Sequence, residues 1–572
     1  MEITSKNFTD QLPAIRQTIR EASFFAMDTE FTGLTSERNV FPFDTPEEVY
    51  LKTVENSANF IVIQLGLCAF RVDPDSGAVS YKCYNFYCFP KGRVHVFACQ
   101  GESMRFLADH GFDFNKLFRE GLSYCGEADE ERMRADLRER QEQRAAALEG
   151  DDEGEETANG SEPVNMVPVP ATEEKLLAEI EERIGTFLAS EETDFKITNC
   201  NGFQRKLVYQ MIEAKFRKQI STSSVELENN HKGILVERKR TKEQDRKLEE
   251  DRVAKENVDL ESAVGLSLVL QELAKSRKLI VGHNMLLDLL FVIRQFFRPL
   301  PYNFQDFKKT VRELFPLLLD TKYLCTNAEL KVHVFSSVLG HVFEAVRKEP
   351  FKLPEVKSGC EEHSYSMDNE KQHEAGYDAY LTGLCFLGLA SYFKVDLTNL
   401  TNDGTLKMYF NRIYLLRVSE VNYIYTYGKE PSFSRDHIFY ITFPDNWRQV
   451  DILCRFRNYG QVYISWVNET SAFVTLHNRD YAAAVLKTID KSNAAFTICT
   501  LNQFKAKQQC AGAKRRYDSG GSDRGGHKRP AEKELTATVL PAVTANEVSN
   551  FGTPSQAKRP RGQGTFADND NW

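Results

Sequence analysis

The order of its apolar segments constrains this chain more than any other feature of the sequence. Three strand candidates come first, followed by two strand–helix repeats and a long apolar helix: Ser23–Asp28, Phe60–Phe70 and Tyr84–Phe89; Lys278–Phe296 and Leu314–Leu324; and His373–Phe393. The short polar connection after the second strand predicts an antiparallel meander. Strands that alternate with helices would extend the same sheet, so the order predicts an α/β layer architecture with a mixed sheet.

A charged segment interrupts this pattern near Glu127. Large apolar residues almost disappear after Leu148, which predicts a solvated helix running into a disordered acidic linker. Amphipathic helices resume after Thr172, and an exposed charged helix then returns the chain to the first domain. We therefore expect a small helical or α/β domain inserted into the larger α/β domain.

A further compact module begins near Arg435. Its segments alternate strand, helix, strand, strand, helix and strand, a βαββαβ pattern typical of RNA-recognition motifs. The tail after Cys510 is basic, rich in Gly, Ser and Pro, and lacks apolar periodicity. The predicted organisation is a main domain in two parts (1–165 and 245–420), an inserted domain (172–240), a C-terminal module (432–508) and a disordered basic tail (510–572).

Composition narrows the functional classes. The 572 residues suggest about two to four domains, and a net charge of -9 confines any nucleic-acid contact to local basic patches. None of the 12 cysteines forms a C-x-x-C pair or a Cys/His zinc spacing, which suits reduced thiols. The polar N-terminus lacks the apolar core of a signal peptide, and no apolar run approaches 18 residues. We therefore expect neither secretion nor contact with a membrane.

Two acids one residue apart follow the first apolar strand, in the stretch FFAMDTEFTGL. Side chains on a strand alternate with period two, so Asp28 and Glu30 share one face. Their carboxylates repel each other, and partial burial strengthens that repulsion. A divalent cation between them would remove it. A solvated strand end before a Thr-Gly turn explains this stretch alone equally well.

Two more acids lie in apolar helices. Asp288 comes four residues after Asn284, on the same predicted helix face, and Asp378 comes five residues after His373. An acid in an apolar helix is unusual unless it is paired or bound to metal. One such acid is more often structural, but four acids on separate elements of one α/β unit favour a shared metal site.

Phosphodiester hydrolysis would use such a site. Two divalent ions about 3.5–4 Å apart can hold the attacking water and the leaving oxygen. Oxygen ligands suit Mg²⁺ or Mn²⁺. His373 is placed to accept the proton of the water, a role that a neutral imidazole fills near pH 7. Taken alone, His373 is a surface histidine at a helix N-terminus.

These motifs carry a family resemblance. D-T-E at 28–30, GHN-x-x-x-D at 282–288 and HEAGYD at 373–378 resemble the exonuclease motifs of the DEDD superfamily, in its histidine branch. Longer stretches resemble the poly(A)-specific ribonuclease family in the same order over about 1–510: GFDFNKLFREG, NGFQRKLVYQ, LLDTKYL, HEAGYDAYLTGLCF and ISWVNETSAFV. The resemblance implies a ribonuclease H-like core and a 3′-exoribonuclease that trims poly(A) and releases 5′-AMP.

The resemblance also implies roles for individual residues. The implied metal ligands, for two divalent ions, are Asp28, Glu30, Asp288 and Asp378, with His373 as general base. The implied substrate contacts are Phe31, Arg93, Phe106, Phe114 and Lys322. A base could stack on Phe31, and Lys322 could neutralise a phosphate. Without the family, Phe106 and Phe114 are better interpreted as core residues.

The accessory modules depart from the family patterns. The inserted domain resembles a module with an Arg-x-x-x-His signature, but Tyr209 stands where the histidine is expected after Arg205. Arg205 and Lys206 remain candidate RNA-phosphate contacts, or otherwise a solvated helix face. ETSAFVTL lacks most of the RNP1 pattern, which weakens the case for RNA stacking on the sheet. The resemblance instead implies that Trp466 stacks on the cationic guanine of a 5′ cap; a core tryptophan is the alternative.

Three functions remain open on the sequence. The first is a Mg²⁺-dependent or Mn²⁺-dependent deadenylase acting on mRNA and oligoadenylated noncoding RNA, stimulated by the 5′ cap. The others are an inactive nuclease-fold RNA-binding adaptor and a proofreading-type DNA exonuclease. The resemblance implies a homodimer, and the basic clusters at 514–516, 527–530 and 558–561 favour a location in both nucleus and cytoplasm.

Overall fold

The computed structural model describes most of the chain in two compact units. The described residues are 1–34, 40–90, 96–150, 167–190, 192–217, 219–226, 232–238, 242–359, 361–365, 371–489, 492 and 494–508. The first unit takes the described residues of 1–39, 46–416 and 423–428. The second takes those of 40–45, 417–422 and 429–508. The predicted acidic linker and basic tail fall mostly or wholly outside the described residues.

The predicted helices and strands appear in the predicted order, together with further strands and helices that the sequence patterns did not indicate. The strands are β1 (Glu2–Ile3), β2 (Phe24–Phe31), β3 (Val62–Val72), β4 (Val79–Tyr87), β5 (Asp194–Ile197), β6 (Ile220–Glu226), β7 (Lys232–Arg238), β8 (Leu279–Gly282), β9 (Leu318–Asp320), β10 (Val356–Ser358), β11 (Arg412–Tyr414), β12 (Tyr423–Tyr425), β13 (Ile438–Thr442), β14 (Val462–Asn468), β15 (Ser471–Leu476) and β16 (Thr497–Thr500). The helices are α1 (Phe8–Glu21), α2 (Pro46–Ser57), α3 (Gly101–Asp109), α4 (Phe114–Glu120), α5 (Glu127–Gly150), α6 (Glu174–Ala189), α7 (Gly202–Lys215), α8 (Lys242–Val264), α9 (Leu266–Ser276), α10 (Leu286–Val292), α11 (Phe304–Leu314), α12 (Thr321–Leu324), α13 (Leu339–Val346), α14 (Ala375–Tyr392), α15 (Gln449–Phe456) and α16 (Ala482–Thr488).

A mixed sheet forms the centre of the first unit. Its main path runs β1–β4–β3–β2–β8–β9, and β10 also pairs with β4. The strands β2, β3 and β4 form the predicted antiparallel meander, whereas β8 and β9 add to β2 in parallel. The acid-bearing strand β2 is therefore an interior strand at the junction of the antiparallel and parallel halves.

The long apolar helix α14 packs on this sheet through aromatic rings. The Phe24 ring of β2 stacks on Phe70 of β3 at 4.8 Å and meets Phe386 of α14 edge-on at 5.1 Å. All three side chains are completely buried. Each such burial contributes about 1.5–3 kcal/mol, so this contact fixes α14 on the strand that carries the first two acids.

The inserted domain is α/β rather than purely helical. Two helices, α6 and α7, share an apolar core with an antiparallel sheet of order β5–β7–β6. The long flanking helices α5 and α8 lead into and out of it, and Arg144 of α5 bonds both Glu249 and Glu256 of α8, at 2.7 and 2.6 Å. The insertion thus leaves and rejoins the first unit through a pair of charged helices.

The second unit contains the predicted βαββαβ module. Its four-stranded antiparallel sheet has the order β14–β15–β13–β16, with α15 and α16 as its helices. Residues 501–508 continue as a helix after β16. Residues 40–45 belong to this unit by packing, although the chain on both sides of them belongs to the first unit.

Within the described part of the chain, no helix combines the length and apolar character needed to cross a bilayer.

Candidate active site

Two acids of the site lie on β2. Asp28 pairs across the ladder with Gly66 of β3, and Glu30 pairs with Gln64. Glu30 is 8% exposed and Asp28 is partly buried. The strand continues to Phe31, so the prediction that it ends at Asp28 was wrong. Ladder hydrogen bonds on β3 therefore hold the backbone of both acids.

The third acid, Asp378, lies in the first turn of α14. One carboxylate oxygen from each of Asp28, Glu30 and Asp378 lies within 4.8 Å of the other two. Side chains separated by about 350 residues in the sequence thus share one oxygen-rich position on the sheet.

Two amide side chains and one glycine set the position of α14. The backbone N–H of Ala375 donates to Gln64 Oε1 at 3.0 Å, and that of Gly376 donates to Asn85 Oδ1 at 3.2 Å. A Cβ atom at Gly66 would meet the carbonyl oxygen of Ala375 at 1.9 Å. The absence of a side chain at position 66 allows the helix to approach the sheet this closely, and this approach carries Asp378 to the β2 acids.

The fourth acid, Asp288, lies in the first turn of α10, directly after β8. It accepts a hydrogen bond from the hydroxyl of Thr29, the residue between the two β2 acids. Asp288 does not belong to the set of acids whose oxygens lie within 4.8 Å of one another. Burial first, and then the charge of Asp288 among the neighbouring acids, raises the pKa of both Asp28 and Glu30. Asn284, predicted on the same helix face, instead precedes α10 with a φ of 61°. The structure therefore brings carboxylate oxygens of three acids within 4.8 Å of one another and links the fourth acid to them through Thr29.

Burial and mutual repulsion dominate the electrostatics of the four acids. Burial, followed by the neighbouring negative charges, raises the pKa of Asp28 and of Glu30 well above the usual range. Burial also raises the pKa of Asp288 and of Asp378, each to about 7. Crowded, desolvated carboxylates of this kind are stabilised by a cation, and an all-oxygen donor set fits Mg²⁺ or Mn²⁺. The residues present therefore fit a divalent metal site.

His373 stands beside this group of acids. Its backbone N–H donates to Asp378 Oδ2 at 3.1 Å, and its ring lies 4.5 Å from the ring of Phe106 and 4.4 Å from that of His110. Burial, followed by the charge of His110, lowers the pKa of His373 to about 4. His373 precedes α14 and has a φ of 71°, so the prediction that it lies within that helix was wrong. The imidazole is neutral at pH 7 and adjoins an acid of the site.

Asp320 is a fifth buried acid near the site, and its role is different. It is 1% exposed and accepts backbone N–H groups of Asn284, Met285, Lys322 and Tyr414 at 2.9–3.1 Å. A carboxylate surrounded by backbone donors is already satisfied. Asp320 therefore fixes the turn between β8 and α10, and with it the backbone that leads to Asp288.

Lys322, a predicted substrate contact, lies in the short helix after β9. It is 3% exposed, and its ammonium lies 5.8 Å from the centre of the Tyr414 ring. Its charge, after burial, contributes to lowering the pKa of His283 to about 3. Both ring nitrogens of His283 are bonded, to Thr321 Oγ1 and to the carbonyl of Ser337, each at 2.9 Å. A buried ammonium beside a neutral histidine is a suitable neighbour for an anion such as a phosphate.

The predicted aromatic contacts differ in their surroundings. Phe31 is 8% exposed and packs 4.5 Å from Phe291, so little of its ring is free. Phe106 is partly buried against His373, and Phe114 is partly buried against Phe112 at 4.7 Å. Of these three, Phe106 touches the site directly. Arg93 lies outside the described residues.

Arg205, a predicted phosphate contact in the inserted domain, is engaged with its own backbone. Its Nη1 donates to the carbonyls of Cys200 and Lys232, at 3.0 and 2.8 Å, and so links the start of α7 to the start of β7. Lys206 next to it is exposed. Part of the Arg205 guanidinium therefore has a structural role, whereas Lys206 is available to a ligand.

Trp466, the predicted cap-binding residue, lies on the edge strand β14. It is 43% exposed, and its ring meets Phe443 edge-on at 5.5 Å. This exposure exceeds that of a core tryptophan and leaves ring surface open to a flat ligand.

One face of the same sheet is covered by its own chain. Phe473, at the position where an RNA-recognition motif presents a stacking aromatic, is 3% exposed. Phe41 and Phe43 each lie 5.0 Å from its ring, and Phe504 lies 5.2 Å from it. Phe504 also stacks on Tyr440 at 4.1 Å. Nucleobases therefore have no free aromatic surface at Phe473, in agreement with the weak RNP1 pattern.

Comparison with known proteins defines the class. The model of the CAF1 family ribonuclease matches residues 3–386, and the model of the RNA binding domain matches residues 428–507. A mixed α/β core that carries buried acids, followed by a βαββαβ module, is thus a ribonuclease with an attached RNA-binding domain.

Individual relatives narrow this class. Poly(A)-specific ribonuclease PARN of Xenopus laevis is 34% identical over 525 residues, which cover 89% of this chain and 82% of the relative. The Homo sapiens protein of that name is 35% identical over 535 residues, 89% of this chain and 81% of the relative. The Mg²⁺ and Mn²⁺ bound structure of S. pombe Pop2p is 14% identical with a TM-score of 0.34, over 72% of this chain and 98% of that chain. The chain belongs to the CAF1 family of ribonucleases and, within it, to the poly(A)-specific ribonucleases. The predicted family is confirmed, and so is the predicted α/β class with a mixed sheet.

Proposed function

We propose that this ribonuclease is a 3′-to-5′ exonuclease that removes poly(A) tails from mRNA and oligoadenylate tails from noncoding RNA, releasing 5′-AMP. The observation that carries the proposal is the convergence of Asp28, Glu30 and Asp378 within 4.8 Å, beside a neutral His373. Membership in the poly(A)-specific ribonuclease family supports the substrate.

The residues that would hold divalent cations are Asp28, Glu30, Asp288 and Asp378, and we infer two ions of Mg²⁺ or Mn²⁺. Such ions supply positive charge that polarises the scissile phosphate and lowers the pKa of the attacking water. The hydrogen bond from Thr29 keeps the Asp288 carboxylate turned toward β2. Burial and the mutual repulsion of the acids, which also raise the pKa values of Asp28 and Glu30, are the physical reason why cations would stabilise the site.

His373 is the general base of this mechanism. Its neutral ring takes one proton from the attacking water as the water oxygen bonds to the terminal phosphate. The bond from that phosphorus to the 3′ oxygen of the preceding nucleotide breaks, and this oxygen takes a proton from solvent. The peptide of His373 stays bonded to Asp378, so the base is held next to the acids.

Side chains around the acids would hold the 3′ end of the RNA. Lys322 neutralises a phosphate, and Phe106 offers a ring to a terminal base. Phe31, Phe114 and Arg93 complete the proposed contacts. Arg205 and Lys206 would hold the RNA backbone at a distance from the site.

Trp466 would bind the 5′ cap. A methylated guanine is cationic, and tryptophan is the strongest cation–π partner among the side chains. The 43% exposure of Trp466 supports this proposal. Cap binding would stimulate the nuclease on capped mRNA.

We also propose a homodimer that works in both nucleus and cytoplasm. The support for the dimer is the family resemblance. The support for nuclear import is the set of basic clusters at 514–516, 527–530 and 558–561, which lie outside the described residues.

The deciding experiment follows 5′-labelled RNA by electrophoresis and the released nucleotide by chromatography. The substrates are A-tailed RNA, mixed-sequence RNA and single-stranded DNA, each with Mg²⁺ or with EDTA. We expect stepwise 3′ shortening of A-tailed RNA, release of 5′-AMP and a complete stop in EDTA. Asp28→Ala should be inactive, whereas Asp75→Ala, at an exposed acid in the turn after β3, should match the wild type.

The alternatives give different outcomes in the same assay. An inert wild-type protein that still binds RNA would identify an adaptor. Equal digestion of DNA and RNA would identify a proofreading-type exonuclease. Equal digestion of A-tailed and mixed-sequence RNA would overturn the poly(A) preference while leaving the ribonuclease intact.

A further inference from the structure

A second histidine, His110, lies directly against the ring of His373. It occupies the C-cap of α3, and Gly111 after it has a φ of 84°, which turns the chain away from the helix. The two imidazole rings lie 4.4 Å apart at an interplanar angle of 74°. Helix α3 therefore ends just before His110, the residue whose ring contacts the proposed base His373.

The His110 ring is itself held in place. Its Nδ1 lies 2.8 Å from the carbonyl oxygen of Phe106, one turn earlier in α3, and since a carbonyl only accepts, Nδ1 carries the proton of this bond. The Phe106 ring lies 4.2 Å from the His110 ring and 4.5 Å from the His373 ring. The rings of Phe106, His110 and His373 thus form a mutually packed group, here called the α3 ring triad.

His373 has an unusual backbone conformation and a side chain whose orientation depends on its neighbours. A φ of 71° is uncommon for a residue with a side chain and persists only when surrounding contacts determine it. The hydrogen bond to Asp378 fixes the peptide of His373 but leaves rotation of its side chain free. Among the residues that the structure describes, the other two members of the α3 ring triad contact the His373 ring and restrict this rotation.

We propose that His110 is a positioning residue that holds the His373 imidazole in the orientation needed to accept the proton of the attacking water. This inference rests on the proposed role of His373 as general base. His110 acts through its ring, which closes one side of the space around His373, and Phe106 closes another. Without the His110 ring, the His373 ring can rotate and spends less time aimed at the water. Loss of the His110 ring therefore lowers the rate of the chemical step and leaves substrate binding unchanged.

The test measures kcat and KM of the full chain on A-tailed RNA with Mg²⁺ for three changes at position 110. His110→Ala removes the ring, and we expect kcat to fall about tenfold with KM within about twofold of the wild type. His110→Phe restores an aromatic ring but not the Nδ1 bond to the Phe106 carbonyl, so it should recover part of kcat. Asp109→Ala, at the exposed neighbouring residue of α3, is the matched control and should leave both constants unchanged.

A double-mutant cycle shows whether His110 acts through His373. Single-turnover rates are measured for His110→Ala, His373→Ala and the double variant, and thermal melting confirms that each folds. If His110 only positions His373, the double variant is no slower than His373→Ala. A wild-type kcat for His110→Ala, failure of His110→Phe to recover, or full additivity in the cycle would each overturn the inference.

The cycle also separates this inference from the proposed function. A His373→Ala variant as fast as the wild type would reject His373 as the base, and the positioning role would fall with it. If His373→Ala is strongly impaired and His110→Ala is not, the mechanism stands and only the inference about His110 fails.

Discussion

The backbone N–H of His373 donates a 3.1 Å hydrogen bond to the carboxylate of Asp378, five residues later. A proposed base and a proposed metal ligand are thereby joined in one short loop before α14. A displacement of α14 on the sheet would move both together, so the geometry of the site depends on how that helix is seated.

Asparagine at position 378 should remove activity and stabilise the metal-free protein. Asp378→Asn keeps an oxygen acceptor for the His373 N–H but deletes one of the mutually repelling charges. We expect activity to fall at least about a hundredfold. The melting temperature in EDTA should rise by roughly 1–2 °C per kcal/mol of relieved repulsion, because the shift becomes smaller as the unfolding unit becomes larger. Differential scanning fluorimetry in EDTA and an AMP-release assay measure the two effects.

Asp320→Asn is the matched control for that prediction. The Asp320 carboxylate accepts several backbone N–H groups, and the amide nitrogen of asparagine would face some of those donors. Each lost bond costs about 1–3 kcal/mol, so this variant should melt at a lower temperature. A lower melting temperature for both variants would show that the acids of the proposed metal site do not repel one another.

Metal affinity should depend steeply on pH between 6 and 8. The carboxyl groups of Asp288 and Asp378, each with a pKa raised to about 7, hold protons below that pH, and a cation must displace them. As the pH is lowered below 7, the apparent metal affinity should then fall by up to about tenfold per pH unit for each such carboxyl group. Calorimetric titration with Mg²⁺ at pH 6, 7 and 8 measures this fall and the released protons. Equal affinity at pH 6 and pH 8 would contradict the prediction.

The carboxyl groups of Asp288 and Asp378 also determine how the stability of the metal-free protein changes with pH. Their folded pKa values lie above the unfolded values near 4, so their stabilising contribution is present below about pH 4 and is lost as the pH rises through 7. In EDTA, the wild type should therefore lose more stability than Asp378→Asn between pH 5 and pH 8. An equal change in melting temperature for the two proteins between pH 5 and pH 8 would refute the raised pKa of Asp378.

Lys322→Met should weaken RNA binding without weakening the fold. Methionine replaces a 3% exposed ammonium with an apolar side chain of similar length, so the melting temperature should stay constant or rise. Loss of a charge-assisted phosphate contact worth about 1.5–3 kcal/mol should raise KM about tenfold or more. Lys275→Met, at a 69% exposed lysine paired with Glu272 on α9, should change neither value. An unchanged KM for Lys322→Met would remove Lys322 from the substrate contacts.

Trp466→Ala should reduce affinity for a methylated cap analogue about tenfold or more, since a desolvated cation–π contact contributes up to about 2 kcal/mol. Trp466→Phe should retain part of that affinity. Tyr463 is 55% exposed and lies three residues earlier on β14, so its side chain points to the opposite face. Fluorescence titration of Tyr463→Ala should therefore match the wild type, and equal losses in both alanine variants would argue against a site at Trp466.

Much of the fold could be predicted because apolar periodicity reports local structure. The meander, the strand–helix repeats and the βαββαβ module follow from such patterns. The acids on β2 were also visible, because an apolar strand that carries two acids on one face needs a charge partner.

The side chains that hold the site residues in position could not be predicted, because they make their contacts between elements that are far apart in the sequence. Gln64 and Asn85 receive the N-terminus of α14 from about 300 residues away. His110 meets His373 across a similar separation. One signal was present: the glycine within the buried apolar strand QLGLCAF, which marks a close backbone approach. No residue pattern around His373 predicted its left-handed backbone.

Gly66 illustrates why inactivating changes in this chain need not touch a charged residue. Its lack of a side chain lets the carbonyl of Ala375 come close enough for Asp378 to reach the β2 acids. A single added methyl group would lift the first turn of α14 and separate the ligands, although no carboxylate, no histidine and no residue of the RNA-binding module is changed. A genetic screen for defective tail shortening would therefore recover position 66 alongside the acids, as an allele that loses cleavage although no charged residue is changed.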